Sequence, residues 1–303
     1  MDMKNAKNAH FWQIDHKVKQ FLGAEGVIVL PSFEAWQRFK WVRYLFKNRP
    51  KEGYFVWVKK QVNFPLSTCI TIASPKISQN LTNLLVIEKG LNIRANVLCN
   101  AAKNNLYGSH MAKGKLILKE GASLEYNHIH QWGEKDFVSP HYEFILRRGS
   151  KLVYTYKNLL PPENLELKTV IYSGEKSSSN IKFLINGIKS NIKIEDVLFL
   201  KKKGAQGIVK LRLVGRKKSD IDAVSKIVAE SAVKGHLDCQ GLLVDENSKI
   251  SLTPKLICQN KNAQLTHEAS IGRIAEEQLT YLRMRGLNEK EATDLIVSGF
   301  LKI

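Results

Sequence analysis

No stretch of this 303-residue chain approaches the ~18 consecutive apolar residues of a membrane-spanning helix, so none is expected. The N-terminus, Met1-Asp2-Met3-Lys4-Asn5, lacks the apolar core of a secretory signal. Both absences predict a cytoplasmic protein. No GxxxxGK(S/T) phosphate loop is present, so no bound nucleotide is expected. The four cysteines, Cys69, Cys99, Cys239 and Cys258, form no CxxC pair. That excludes a zinc ribbon and a thioredoxin-type centre, and in a cytosolic chain disulfides are not expected either. Helix-turn-helix, zinc-finger and RNP aromatic signatures are missing. Acidic residues are scarce, 28 against 47 basic ones, which leaves a net charge of +19. Such an excess suggests a polyanionic partner. The lysines are scattered, however, and the runs Lys201-Lys202-Lys203 and Arg216-Lys217-Lys218 flank apolar stretches. A solvated basic surface, or a docking face for an acidic protein, is the stronger reading, and no nucleic acid is expected.

What the chain does have is patterned. Hydrophobic residues make up 44%, enough for a substantial core. Residues 1–52 read as helical, with Ser32 as an N-cap and Phe33, Trp36, Phe39, Val42 and Phe46 near helical spacing as packing residues. From Gly53 the pattern turns to strands, beginning with Tyr54-Phe55-Val56-Trp57-Val58. Then Gly90, Gly121 and Gly149 recur at intervals of 28 to 31 residues, each between an apolar strand and a fresh one. Glycine supplies the positive φ of a tight turn. A strand–turn–strand unit of this length predicts a stacked all-β solenoid over residues 53–270. Cys69 and Cys258 lie among apolar neighbours and read as small buried hydrophobes.

After Ser270 a helical hairpin is expected over residues 271–303. Glu276 and Glu277 suit the first turn of one helix, with Arg283, Arg285 and Gly286 at its end. Asn288 with Glu291 forms a capping-box pattern. Ala292, Leu295 and Ile296 then share an apolar face.

The residues with metal chemistry cluster late. Cys239 sits between Asp238 and Gln240, and Glu268 follows 29 residues later, about one repeat unit. Positions one unit apart fall on adjacent rungs of a solenoid, so the two side chains are candidate neighbours. A thiolate is a soft ligand suited to iron–sulfur chemistry, and a carboxylate can complete an iron site. Earlier, Cys99, His110 and Trp132 are spaced by 11 and 22 residues. Leu124, Tyr126, His128 and His130 alternate on one strand face, so both imidazoles point the same way.

The run Asp238-Cys239-Gln240, Ala263 to Ser270, Glu277 to Leu282, Arg285-Gly286-Leu287 and Ala292 to Phe300 resembles the SufB/SufD family of iron–sulfur cluster assembly scaffolds. The resemblance covers about Gly53 to Phe300. Cys239 and His267-Glu268 are similar to the SufB branch, whereas SufD-like chains typically carry His-Gly and lack the Cys. It departs from SufB at Thr266, where many members have Glu, and at His130, usually Gln. It also lacks the N-terminal CxxCxxxC motif of some members, so it looks like a short form. The resemblance implies a right-handed parallel β-helix and a scaffold rather than an enzyme. It implies Cys239, Glu268 and His267 as the residues that hold a transient cluster, of the [4Fe-4S] type, and Cys99, His110, His130 and Trp132 as the route for sulfur. A sulfur acceptor of this kind needs an accessible thiolate, and His110 is placed to lower its pKa or pass protons.

Expected partners are a SufC-like ABC ATPase and a second copy, or a SufB/SufD-like chain, docked through the last strands of the β-helix. A sulfur donor and apo-protein acceptors complete the set. The ATPase would meet Tyr281, Leu282, Leu295, Ile296 and Phe300 of the terminal helices. Two rival readings are a basic nucleic-acid-binding β-solenoid, suggested by the charge, and a carbohydrate-active β-helix, which would need a clustered acidic pair that is not evident.

Overall fold

Alternation decides the architecture. In Lys151–Leu160 the buried positions are Leu152, Tyr154, Tyr156 and Asn158, every second residue. That is the pattern of a strand with one face in a core. The computed structural model describes residues 8–46 and 48–302, and this pattern recurs through most of them.

The N-terminal elements are β1 (Ala9–Ile14), β2 (Lys17–Leu22), β3 (Val27–Pro31), α1 (Ser32–Arg38), α2 (Lys40–Phe46), β4 (Tyr54–Val58) and β5 (Leu66–Ile72). The repeating strands are β6 (Ser78–Ile87), β7 (Asn92–Ala101), β8 (Ser109–Leu118), β9 (Ser123–Gln131), β10 (Phe137–Leu146), β11 (Lys151–Leu160) and β12 (Asn164–Ser173). They continue as β13 (Ser178–Ile188), β14 (Asn191–Leu200), β15 (Gln206–Arg216), β16 (Asp220–Ala229), β17 (Lys234–Leu243), β18 (Lys249–Cys258) and β19 (Gln264–Arg273). Two helices close the chain, α3 (Glu276–Met284) and α4 (Glu289–Leu301). From β5 onward, odd-numbered strands form one parallel sheet, here sheet A, and even-numbered strands the other, sheet B. Each coil therefore adds one strand to each sheet, and the inner faces of the two sheets enclose the core. The result is a β-solenoid of stacked parallel coils. No helix among the described residues is long and apolar enough to cross a membrane.

The corner between coils follows the glycines. Gly90, Gly121 and Gly149 have φ of 74°, 67° and 65°, and the Gly121 N–H donates to Arg148 O of the next coil at 2.8 Å. The same corner continues through Lys176 (φ 51°), whose N–H donates to Lys203 O, and Gly204 (φ 74°). The repeat thus extends past the three visible glycines. Lysine hides the fourth corner, at the roughly 1–2 kcal/mol cost of a left-handed non-glycine residue.

Among the described residues, helix in the N-terminal region is confined to Ser32–Phe46 and broken at Phe39, which is extended. Before it, β1 joins sheet A beside β5, and β3 pairs with β4 at the start of sheet B. The helical expectation for residues 9–31 is therefore corrected: Val27-Ile28-Val29-Leu30 is an apolar run, β-branched at its first three residues, that pairs with Phe55 to Val58. Residues 1–7 lie outside the described set. Ser32 does not cap a helix; its hydroxyl donates to Thr82 O at 2.6 Å. The aromatic stripe packs, with Phe39 and Trp41 against Phe55 and Trp57.

At the other end, the capping box is complete: Glu291 N–H donates to Asn288 Oδ1 and Asn288 N–H to Glu291 Oε2, both at 2.9 Å. The buried face of α4 is Ala292, Val297 and Leu301, set on Leu184, Val214 and Leu242 of sheet A. Arg216 pins the helix through Asp294 at 2.7 Å. Leu295 is not on that face; it is 53% exposed. Among the described residues, no further strand lies over the last coil, β18 and β19. Its inward-facing residues are consequently uncovered. Cys258, which continues the inner column Leu200–Ala229, is exposed and not buried as the local sequence suggests.

Candidate functional site

The interior of β7 to β11 is unusually polar. Leu124, Tyr126, His128 and His130 are all buried, as the alternation predicts. The register of sheet A sets Cys99 beside His130, and Val97 beside His128. The sequence-predicted residues Cys99, His110, His130 and Trp132 come together here. Cys99 Sγ lies 3.6 Å from His128 Nε2, and the His110 and Trp132 rings lie 4.8 Å apart. Three further members join them, of which only His128 was legible in the sequence, by its inward parity. His128 contacts the thiol directly. Tyr156 reaches His130 Nδ1 at 3.1 Å, and Gln79 reaches His110 Nδ1 at 2.9 Å. For Tyr156 and Gln79 the signal in the sequence was inward parity on adjacent strands, which gains meaning only once the register is known.

Hydrogen bonding fixes the protons. An indole N–H can only donate, and Trp132 Nε1 donates to His130 Nδ1 at 3.0 Å. The neutral His130 ring then carries its proton on Nε2 and donates to His128 Nε2 at 2.8 Å. That leaves the His128 proton on Nδ1, where it has no partner. The sulfur and nitrogen atoms of Cys99, His128 and His130 lie within 4.8 Å of one another. With His130 Nε2 protonated, however, the trio is arranged as a neutral relay and not as a closed ligand set. Burial, with a smaller effect of Cys69, pushes the Cys99 thiol well above its ordinary pKa. Burial lowers His110 and His128 to about 3, with His110 adding to the effect at His128. Burial, then His128 and His110, pushes His130 well down. The accessible thiolate expected of a sulfur acceptor is not the resting state, and His110 bonds Gln79 rather than activating Cys99.

Cys239 lies on β17, facing inward, 1% exposed. Its inner column in sheet A runs back through Leu211 and Phe183 to Tyr156 and His128. Those four inter-strand steps span about 19 Å. The facing column in sheet B is polar: Tyr142, Thr169, Asp196 and Ser225. Tyr142 packs on His128 at 4.9 Å between ring centroids. The oxygens Tyr142 Oη, Thr169 Oγ1 and Asp196 Oδ1 lack protein partners, although an unmet buried polar group costs about 1–3 kcal/mol. Ser225 donates to Asp196 Oδ2 at 2.7 Å, yet burial still raises Asp196 to about 7. Burial, then the charges of Asp196 and Asp238, pushes the Cys239 thiol to about 12, with Arg212 partly offsetting.

Cys239 and Glu268 are on adjacent rungs, but they do not share a face. Cys239 pairs with Ala269, and Glu268 with Asp238. Glu268 points outward, its side chain 63% exposed and 3.9 Å from His236 Nε2. His267 has inward parity, like Cys239, and is exposed only because nothing covers the last coil. Asp238 is held by two charge-assisted bonds from Arg212, 2.8 and 2.6 Å. Burial pushes its carboxyl up, but Arg212 and Lys210 outweigh that and hold it below the usual range.

The buried imidazoles make stability acid-sensitive. A lowered folded pKa contributes stability above ~6.5 that is lost as pH falls toward the folded value. Asp196 has the opposite sign, its contribution being present at low pH and lost as pH rises toward 7. The three imidazoles outweigh Asp196 in this range, so stability falls as pH drops from 6.5 to 4.5. Denaturant unfolding across this range will show the slope. His128→Gln will reduce it, and an unchanged slope in that variant would refute the assignment.

Residues 70–300 match the family described as SUF system FeS cluster assembly, SufBD core domain. A Methanothermobacter thermautotrophicus protein named as an iron–sulfur cluster assembly SufBD family protein is 27% identical over 256 residues, 83% of this chain and 62% of the relative. This chain thus spans less than two thirds of that relative's length. An Archaeoglobus fulgidus protein of the same description is 27% identical over 323 aligned residues, 99% of this chain and 86% of the relative. One from Pyrococcus horikoshii is 28% identical over 298 residues, 92% and 67%.

Proposed function

The chain belongs to the SufB/SufD family of iron–sulfur cluster assembly proteins, and on that premise we propose that it is a SufB-like scaffold subunit working with a SufC-like ABC ATPase. The observation that carries this reading is the open last coil. There His267 has inward parity and Glu268 stands on the rim of an unpaired edge strand, while Cys239 faces inward one coil back, on β17. An uncovered edge invites pairing with a second chain. A two-fold arrangement would bring both copies of Cys239, His267 and Glu268 to one seam, enough ligands for a transient cluster. The cluster, of the [4Fe-4S] type, is cargo, built here and handed to an apo-protein.

Sulfur would enter at Cys99. Its thiolate would attack the outer sulfur of a donor persulfide, the donor S–S bond breaking and the donor leaving as a thiolate. The resting relay around Cys99 is neutral, so this step needs an opening of the coils, for which ATP-driven movement of the partner is the proposed source. Onward transfer would follow the polar column of sheet B, Tyr142 to Ser225, since sheet A offers only Phe183 and Leu211. Nucleic-acid binding, the reading suggested by charge alone, is not favoured by the family assignment.

Anaerobic reconstitution with iron and sulfide, read by absorption and Mössbauer spectra, tests the scaffold reading; a chain that takes up no cluster under these conditions refutes it. For the ATPase, deleting residues 271–303 would also uncover Leu184, Val214 and Leu242. A cleaner test uses the exposed residues Tyr281 and Leu295, 56% and 53% accessible. Leu282, Ile296 and Phe300 are partly buried, so they serve less well. Tyr281→Ala with Leu295→Ala is expected to abolish co-purification with a SufC-like ATPase and leave the fold intact. Undiminished co-purification would remove the helices from that role.

A further inference from the structure

One row of outward-facing residues on sheet B is apolar along the solenoid axis. Val86, Ile117 and Ile145 stand in register on β6, β8 and β10. Tyr172, Phe199, Val228 and Ile257 continue the row on β12 to β18. The first three are covered by α2, which packs Val42 and Phe46 with Val86 and Ile117. The rest have no helix over them. On sheet A, the corresponding outer patch of Leu184, Val214 and Leu242 is covered by α4. The chain therefore covers such patches twice with its own helices, and among the described residues no helix covers the rest of this row, where Ile257 is exposed, Tyr172 and Phe199 are partly exposed and Val228 is recessed at 6%.

Each row residue is the penultimate one of its strand, so the next residues form the corner. That corner is basic. At its start, a groove of about 610 Å³ is lined by Trp41 and Leu45 of α2, by Val86 and Ile117, and by Lys89, Lys119, Glu120, Arg147 and Arg148. Lys89 is paired with Glu120 at 3.2 Å and Lys119 with Glu88 at 2.8 Å. Arg147 and Arg148 have no side-chain partner among the described residues. Farther along come Lys176 and Lys201-Lys202-Lys203, opposed by Glu175 and Glu230. Lys201 lies over the stacked Tyr172 and Phe199 rings, 4.9 and 5.5 Å from their centroids.

We propose that this row and its basic corner dock an acidic amphipathic helix of a partner protein, laid along the solenoid axis beyond the end of α2. From Tyr172 to Ile257 the row spans three inter-strand steps, about 14 Å, which matches about three helical turns. Apolar residues one turn apart would meet the row, and carboxylates on the flank would meet Arg147, Arg148 and Lys201. The row is flanked by Val170 and Val197 on β12 and β14 and by Lys226 and Lys255 on β16 and β18, a strip too narrow to seat in a bilayer. A nucleic acid would use the cations and leave the apolar row unpaired. The site needs no iron or sulfide, so it stands or falls separately from the scaffold reading.

The probe is a fluorescent synthetic helix of about 18 residues, Leu and Trp on one face and Glu on the other. Its competitors are a scrambled peptide of identical composition, phosphatidylglycerol vesicles and a single-stranded oligonucleotide. Fluorescence anisotropy is expected to show the helix binding at least about tenfold tighter than the scramble. Arg147→Glu with Arg148→Glu, and separately Phe199→Ser, will weaken it about tenfold, whereas Lys234→Glu on sheet A will not. Circular dichroism checks that the variants remain folded. The proposal is overturned if no peptide binds, if the scramble binds equally, if either sheet B variant binds like the parent chain, or if only vesicles or the oligonucleotide bind.

Discussion

Replacing Cys239 with alanine will leave a folded chain that forms no cluster when iron and sulfide are supplied anaerobically. The side chain faces the interior between Leu211 and Ala269, so the loss of one buried sulfur costs only about 1 kcal/mol. The backbone ladder of β17 and the uncovered edge of β19 are untouched. Stability and oligomeric state should therefore match the parent chain, while the absorption of the reconstituted cluster falls to background. Cys258→Ala is the matched control. Cys258 also faces inward on the last coil, but its column passes Leu200, and a Cβ on Gly235 would meet Leu200 at 3.1 Å. Gly235 precedes Cys239 by four residues, about 13 Å along the strand. Cys258→Ala should keep the cluster. A full-strength spectrum in Cys239→Ala, or its loss in Cys258→Ala, would move the thiol ligand from one position to the other.

The native chain will show a wide spread of thiol reactivity. Cys258 is exposed, whereas Cys99 and Cys239 are each 1% exposed. The thiolate is the reactive species. A thiol pushed to about 12, as Cys239 is, holds about a thousandfold less thiolate at neutral pH than a free one near 8.5. Cys99 is pushed up by burial as well. Timed alkylation with mass spectrometry should label Cys258 first, and Cys99 and Cys239 at least about a thousandfold more slowly. A mild denaturant that opens the coils should remove the difference. Rapid labelling of Cys99 in the native chain would mean that the relay is open at rest and that sulfur acceptance needs no movement of the coils. Slow labelling that becomes fast only when a nucleotide-loaded ATPase is added would support the gated reading.

Some of this was legible from residues alone. Gly90, Gly121 and Gly149 mark the corner because a positive φ selects glycine, and the Asn288–Glu291 box marks α4 because its chemistry is local. The inward parity of His128 and His130 follows from the period of a strand. By contrast, residues 9–31 fold as strands. β2 pairs with β1 next to it, but β1 and β3 take their places in the sheets beside β5 and β4, 23 to 57 residues away in sequence and beyond the reach of a local pattern.

What the sequence determined by itself was the repeat, the parity of its strands, the capped terminal helix and the family signature at Cys239 and His267-Glu268. Each is set by bonds and sterics within a few residues, or by residue identity at a fixed spacing. The tertiary structure alone decided which of those residues meet. Register separated Cys239 from Glu268, turning one inward and the other outward, because a strand alternates faces at every residue. Stacking placed His128, Tyr156 and Gln79 around the predicted cluster, and their burial removed the charge from its thiol and imidazoles. The end of the stack exposed Cys258, which read as a buried hydrophobe, and His267, despite its inward parity. A side chain in a solenoid is covered by the next coil, and among the described residues none lies over β19.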